Sequence, residues 1–200
     1  MGGILRIIGL IIVMLIAAAV GFYAYLGGFS EVTVSERTFK ARDVVVGTHV
    51  GPFETLGKSW TAFDDALKAR GLAPCNGLAL YLDPPGTDKA TYRTAIACDL
   101  EGVDAETREK LAADFTIASL PEAPAVYATF PYKNMASFFV GPTKAYPKLA
   151  AAAATSGQET SISIEVYGVM DEADAIEFYL PLGLTVDAYT DVAAAFEPGA

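Results

Sequence analysis

The chain has 200 residues, 24 Asp and Glu against 14 Lys and Arg, a net charge of −10 and one histidine. That balance repels phosphate backbones, and with no basic cluster or helix-turn-helix pattern to offset it, nucleic acid is excluded as a partner. The same field makes an anionic bilayer surface a poor partner for the folded part of the chain.

The apolar residues, 52% of the sequence, are unevenly spread. Ile7 to Leu26 carries no charge and is dominated by Ile, Leu, Val and Ala, about the length that crosses a hydrocarbon core as a helix. Tyr23 and Tyr25 suit the far interface, Gly27 and Gly28 break the helix, and a polar segment opens at Ser30. A cleaved signal peptide is the competing reading, with Arg6 as its charged end and Ala17 to Ala19 as the small-residue site. The apolar character runs on to Leu26, which favours an uncleaved anchor over 1–29. Arg6 and the amino terminus on one flank nearly balance Arg37, Lys40 and Arg42 on the other, so the charges lean only weakly to a cytoplasmic domain.

Asp43 to Val50 reads as a strand, Gly51-Pro52 as a turn, and Phe53, Leu56, Trp60, Phe63 and Leu67 as one face of a helix that Gly71 ends. Leu78, Leu80 and Leu82 alternate with Ala79, Tyr81 and Asp83 as a strand, and after the Asp83-Pro84-Pro85-Gly86 turn region its partner runs from Tyr92 to Cys98. A linker from Glu101 to Pro121 holds a short helical run, Ala105 to Asp114. The order then repeats: strand Ala125 to Phe130, a helical stretch from about Met135 to Ala154 that Gly141, Pro142 and Pro147 are expected to interrupt, strand Ser161 to Gly168, an acidic turn at Asp171 and Glu172, and strand Ile176 to Leu182. The tail after Leu184 is weakly patterned.

Two β-α-β-β units, about 41–100 and 122–182, predict an α+β domain over 30–184 with pseudo-twofold symmetry. It has an antiparallel sheet with its helices on one face, one transmembrane helix before it and a tail, 185–200, after it.

Val50-Gly51-Pro52-Phe53 ahead of the Trp60 helix, Leu80-Tyr81-Leu82-Asp83-Pro84, Ile164-Glu165-Val166-Tyr167 and Ile176 to Leu182 together resemble the GyrI-like small-molecule-binding superfamily, which includes the SOUL proteins and the effector domains of multidrug-sensing regulators. Ala128-Thr129-Phe130-Pro131-Tyr132 and Pro181-Leu182 resemble more closely its membrane-anchored branch, the ER-phagy receptors of animals. The chain ends soon after the domain, so the role of that branch's long tail does not carry over. The resemblance implies a ligand in the groove between the halves and a carboxylate on the last strand that neutralises cationic, aromatic ligands, a position Glu177 matches.

If Ile162, Ile164 and Val166 face the helices, Glu165 and Tyr167 face away. If Ile176, Phe178 and Leu180 do the same, Glu177 and Tyr179 also face away. Glu165, Glu177, Tyr167 and Tyr179 are therefore expected on one face with Tyr81, an aromatic and acidic surface suited to a cation. Trp60 fits core packing better than ligand stacking. His49 has no second histidine for a metal cluster and reads as a hydrogen-bonded strand-end residue. Cys75 and Cys98 flank the first hairpin; a disulfide and two separate buried thiols fit equally, and a disulfide would point to an extracytoplasmic domain, the side favoured over the weaker basic flank.

The expected function is a membrane-anchored small-molecule binder without metal or cofactor. The alternatives are a hydrolase of electrophilic ring compounds using Glu177 with a tyrosine, and an adaptor that docks another protein. No Ser-His-Asp set or phosphate loop supports an enzyme.

Overall fold

A computed structural model of the chain describes residues 2–72, 74–169 and 174–197. The acidic turn expected at Asp171 and Glu172 lies outside the described residues. Helix α1, Gly2–Tyr25, ends at Gly27, whose φ of +82° is left-handed. Among the described residues α1 is the one helix long and apolar enough to cross a membrane, and residues 3–25 are exposed.

The domain is an eight-stranded antiparallel sheet with helices packed on it, the α+β class expected. Its strands are β1 (Val34–Phe39), β2 (Arg42–Val50), β3 (Asn76–Tyr81), β4 (Arg93–Asp99), β5 (Thr116–Leu120), β6 (Ala123–Pro131), β7 (Ser163–Val169) and β8 (Ala175–Pro181). They lie in the order β1-β6-β8-β7-β3-β4-β2-β5. Each repeat is one strand longer than the sequence pattern suggests. The first strand of each crosses to the other, β1 pairing with β6 and β5 with β2, so the halves clasp one another and β3 against β7 forms the seam. The extra strand β1 is mostly exposed and carries no apolar alternation, which is why its sequence reads as loop.

Helix α2, Phe53–Lys68, buries Leu56, Phe63 and Leu67. Burying side chains of this size contributes about 1.5–3 kcal/mol each, enough to hold a 16-residue helix that would be marginal alone. Helix α3, Ala105–Ala112, is capped by Asp104, whose carboxylate accepts the Thr107 N–H at 2.9 Å. Helix α4, Ser137–Ser156, is continuous through Pro142 and Pro147 rather than interrupted. Each proline removes one internal hydrogen bond, and packing of Ala145, Leu149 and Ala153 on the sheet offsets the loss. Gly141 lets α4 approach closely, because a Cβ there would stand 3.1 Å from Phe130 and 3.2 Å from Phe178.

Both faces of the sheet are covered. Helix α4 lies over Ala79, Tyr81, Val126, Ala128, Phe178 and Leu180, and α2 over Val45, Ile96 and Cys98. Leu78, Leu80, Ile164, Val166 and Tyr179 point the other way and meet a C-terminal segment, the 3₁₀ helix Val186–Tyr189 and α5 (Thr190–Ala194), which buries Tyr189 and Val192. The segment read in sequence as a tail thus forms part of the core, and these two short helices occupy the face opposite the long ones. Cys75 and Cys98 are joined in a disulfide with Cα atoms 5.6 Å apart, tying the α2–β3 connection to β4.

Candidate ligand cavity

A cavity of about 770 Å³ lies on the sheet between α4, the β3–β4 connection with Asp83, Pro85 and Tyr92, and the segment 158–163 that leads into β7. Its α4 wall is a stripe at every fourth residue, Phe138, Pro142, Tyr146, Ala150 and Ala154. The change from rings to methyl groups along that stripe leaves room for a ligand. Its floor is Tyr81 from β3 and Glu165 from β7, and Phe53 at the start of α2 lines one end.

Glu165 is buried, 2% exposed. Tyr146 donates a hydrogen bond to its Oε1 at 2.7 Å and Tyr167 donates to Oε2 at 2.9 Å, while the Tyr81 hydroxyl stands 3.5 Å from that of Tyr167. Burial raises the carboxyl to about 7, because an ionised carboxylate loses its water there; the hydroxyls of Tyr146, Tyr167 and Tyr81 oppose the shift. The three phenols are themselves held well above their ordinary value by burial and then by the Glu165 charge, so they remain donors at any physiological pH. The arrangement is a carboxyl group held by neutral donors and surrounded by aromatic rings.

Register explains the placement. Ala79 pairs with Glu165 across the seam, and Leu80 with Ile164. Leu78-Ala79-Leu80-Tyr81 of one repeat therefore overlays Ile164-Glu165-Val166-Tyr167 of the other, which makes Tyr81 and Tyr167 equivalent positions meeting at the pseudo-twofold axis. The ring of Tyr167 is fixed between the edges of Trp60, 5.5 Å away, and Phe138, 5.1 Å away. Trp60 is half-buried and supports the cavity floor through Tyr167.

The two carboxylates do not share a face. In the β7–β8 hairpin Glu165 pairs with Phe178, and Val166 with Glu177. Side chains of paired residues point to the same side, so Glu165 and Tyr167 lie under the helices, and Glu177 and Tyr179 lie on the opposite face with Ile164 and Val166. The expectation that all four side chains gather is corrected accordingly. It assigned Ile164 and Val166 to the helix side, whereas they pack against the other core. Glu177 accepts hydrogen bonds from Tyr127 at 2.8 Å and Tyr179 at 2.9 Å, and Arg37 lies 3.9 Å from it with its guanidinium 4.0 Å from the Tyr127 ring centroid. That cluster already holds its own cation.

Tyr146 and Tyr92, both in the lining, do not emerge from strand parity. The stripe of every fourth residue on α4 is the signal that could have revealed Tyr146. His49 is a hydrogen-bonded strand-end residue: Nε2 donates to the Pro52 carbonyl at 3.2 Å, and Nδ1 stands 2.9 Å from the Ser59 hydroxyl.

No family model and no curated protein matches the sequence. Solved structures do match in three dimensions. The EcmrR C-terminal domain superposes with a TM-score of 0.51 at 14% identity, covering 76% of this chain and 97% of that one. SAV2435 bound to tetraphenylphosphonium superposes at 0.52 with 12% identity, covering 75% and 93%. The chain shares their fold. EcmrR in its DNA complex superposes at 0.54 with 16% identity, covering 89% of this chain and 69% of that one. At these identities the likeness concerns the fold alone, and the role of the cavity rests on its own residues.

Proposed function

We propose that the chain is a membrane-anchored small-molecule binder of the GyrI-like superfamily that takes an amphipathic, cationic aromatic ligand in the cavity beside α4, with Glu165 as counter-charge. The observation that carries this reading is the fully buried Glu165 under an aromatic-lined cavity, where a cation restores the electrostatic stabilisation that burial removed. The fold shared with SAV2435, whose structure holds tetraphenylphosphonium, supports the ligand class. Tyr146 and Tyr167 position the carboxylate, and Tyr81 and Tyr146 offer rings to the cavity. Glu177 and Tyr179 are left out of the site.

Helix α1 is the anchor in this reading. The Cys75–Cys98 disulfide supports an extracytoplasmic domain, since such bonds persist in oxidising compartments. An impermeant maleimide should label intact cells only after external reduction; labelling that requires permeabilisation would put the domain in the cytoplasm.

Titrating tetraphenylphosphonium into the full chain in neutral detergent micelles tests the site. Glu165→Gln should weaken binding by roughly tenfold or more, as expected for loss of a desolvated ion pair, and Glu177→Gln should leave it unchanged. Equal affinity of Glu165→Gln and the parent chain would sink the assignment.

A further inference from the structure

Outside α1, the large apolar side chains exposed among the described residues are Phe29, Val50, Phe53, Met135 and Phe139. They are not scattered. Val50 and Phe53 belong to the β2–α2 corner, Met135 and Phe139 to the equivalent β6–α4 corner, and the two corners meet where Phe53 and Phe139 touch edge to face at 5.8 Å. Both of these rings also line the cavity, so the apolar rim forms one edge of its mouth.

The connection from α1 is docked onto the domain at one of these corners. Gly27 lies so close to Pro131 that a Cβ there would come within 2.8 Å of its ring. Lys144 and Lys148 of α4 donate to the carbonyls of Gly28 at 2.8 Å and Val32 at 2.7 Å, and Leu26 and Val32 are each 3% exposed. Helix α1 therefore leaves the domain beside the β6–α4 corner, without a free linker. Phe29, 68% exposed, sits on this connection.

We propose that the cavity mouth seats on the bilayer that holds α1, with Phe53, Met135 and Phe139 entering the interface, so that a membrane-partitioned ligand passes from lipid to cavity without crossing bulk water. This rests on the anchored reading given above. A rim of rings and apolar chains beside an apolar helix fits the headgroup–acyl boundary. Its charges suit a zwitterionic surface: Lys133 is exposed beside Met135, and Glu54, next to Phe53, stands 3.9 Å from Lys89.

Trp60 is the only tryptophan, so Trp60→Phe combined with Phe139→Trp gives a single reporter. The full chain carrying it is reconstituted into phosphatidylcholine vesicles with or without lipid brominated near the top of the acyl chain. Emission should fall about twofold or more with bromine, as it should for Met135→Trp in the same background, whereas Glu106→Trp on α3 should change by less than about a tenth, in keeping with contact quenching at the interface alone. Rim reporters quenched no more than the Glu106 reporter, or a chain that does not float with the vesicles, would overturn the proposal. Quenched rim reporters, with no tetraphenylphosphonium bound in micelles by the chain without these substitutions, would support the seated rim and remove the ligand reading.

Discussion

Ala79 and Glu165 face each other across the β3–β7 seam, so the cavity's acid stands where the repeats meet, with a methyl group as its counterpart. Among the described residues no cation of the other repeat acts on it. With the carboxyl raised to about 7 by burial, its ionised fraction falls roughly tenfold for each pH unit below that value. A cation selects the ionised form. Asp83, the other carboxylate of the lining, is only partly buried, and hydrogen bonds from Arg93 outweigh that burial and hold it below its ordinary value, so it stays charged through this range. Tetraphenylphosphonium affinity should therefore rise by roughly tenfold or more from pH 5.5 to pH 8, with calorimetry in two buffers showing proton release at the lower pH. An identical pH profile in Glu165→Gln would assign the effect elsewhere.

The same shift acts on stability, with the opposite sense from a salt-bridged acid. A carboxyl whose folded value is raised contributes its stability below the unfolded value, near 4.5, and loses it as pH rises through about 7. At 1.36 kcal/mol per unit the gap corresponds to about 3 kcal/mol as an upper figure. The ligand-free chain should melt at lower temperature at pH 8 than at pH 5, and Glu165→Gln should flatten that difference. A melting temperature that climbs across this window in the parent chain would contradict the buried-acid account.

The repeats, the two long helices and the floor residue Tyr81 were legible because period-2 and period-3.6 patterns are strong over 43–98 and 125–182. The face of β7 was not. Parity specifies which residues share a side, but it names that side only where one face of a sheet is wet. Here Ile164 and Val166 meet the C-terminal segment and Phe178 and Leu180 meet α4, so apolar residues are correct on both faces. Glu165 and Glu177 look alike in sequence, and pairing register alone separates them. Strand β5 hid in the linker for a related reason: five residues with mixed exposure give no face to read.

Gly47 on β2 and Gly57 on α2 should respond oppositely to alanine. A Cβ on Gly47 would stand 2.6 Å from the ring of Phe63, which is 7% exposed and set edge-on to Phe115, 5.6 Å away, so the ring has little room to yield. Gly47→Ala should cost about 1–3 kcal/mol through overpacking. Nothing lies within 4 Å of a Cβ at Gly57, an exposed helical site, where alanine should stabilise by about 1 kcal/mol. Denaturation midpoints of the two variants should bracket the parent; both shifting the same way would mean that the α2–β2 packing differs from that described.

Tyr189 tests the C-terminal segment. Its ring is 1% exposed and packs in the core behind the sheet, and its hydroxyl is the one buried side-chain polar atom without a hydrogen-bond partner among the described residues. An unpaired buried hydroxyl carries a desolvation cost with no compensating bond. Tyr189→Phe keeps the ring and removes that cost, so it should be neutral or stabilise by about 1 kcal/mol. Tyr189→Ala removes the ring as well and should destabilise by about 3–5 kcal/mol, the range for emptying a large aromatic site. Thermal melts of both variants separate the contributions. If Tyr189→Phe lost as much stability as Tyr189→Ala, the hydroxyl would have a partner, and if neither changed the melt, 186–194 would not be part of the core.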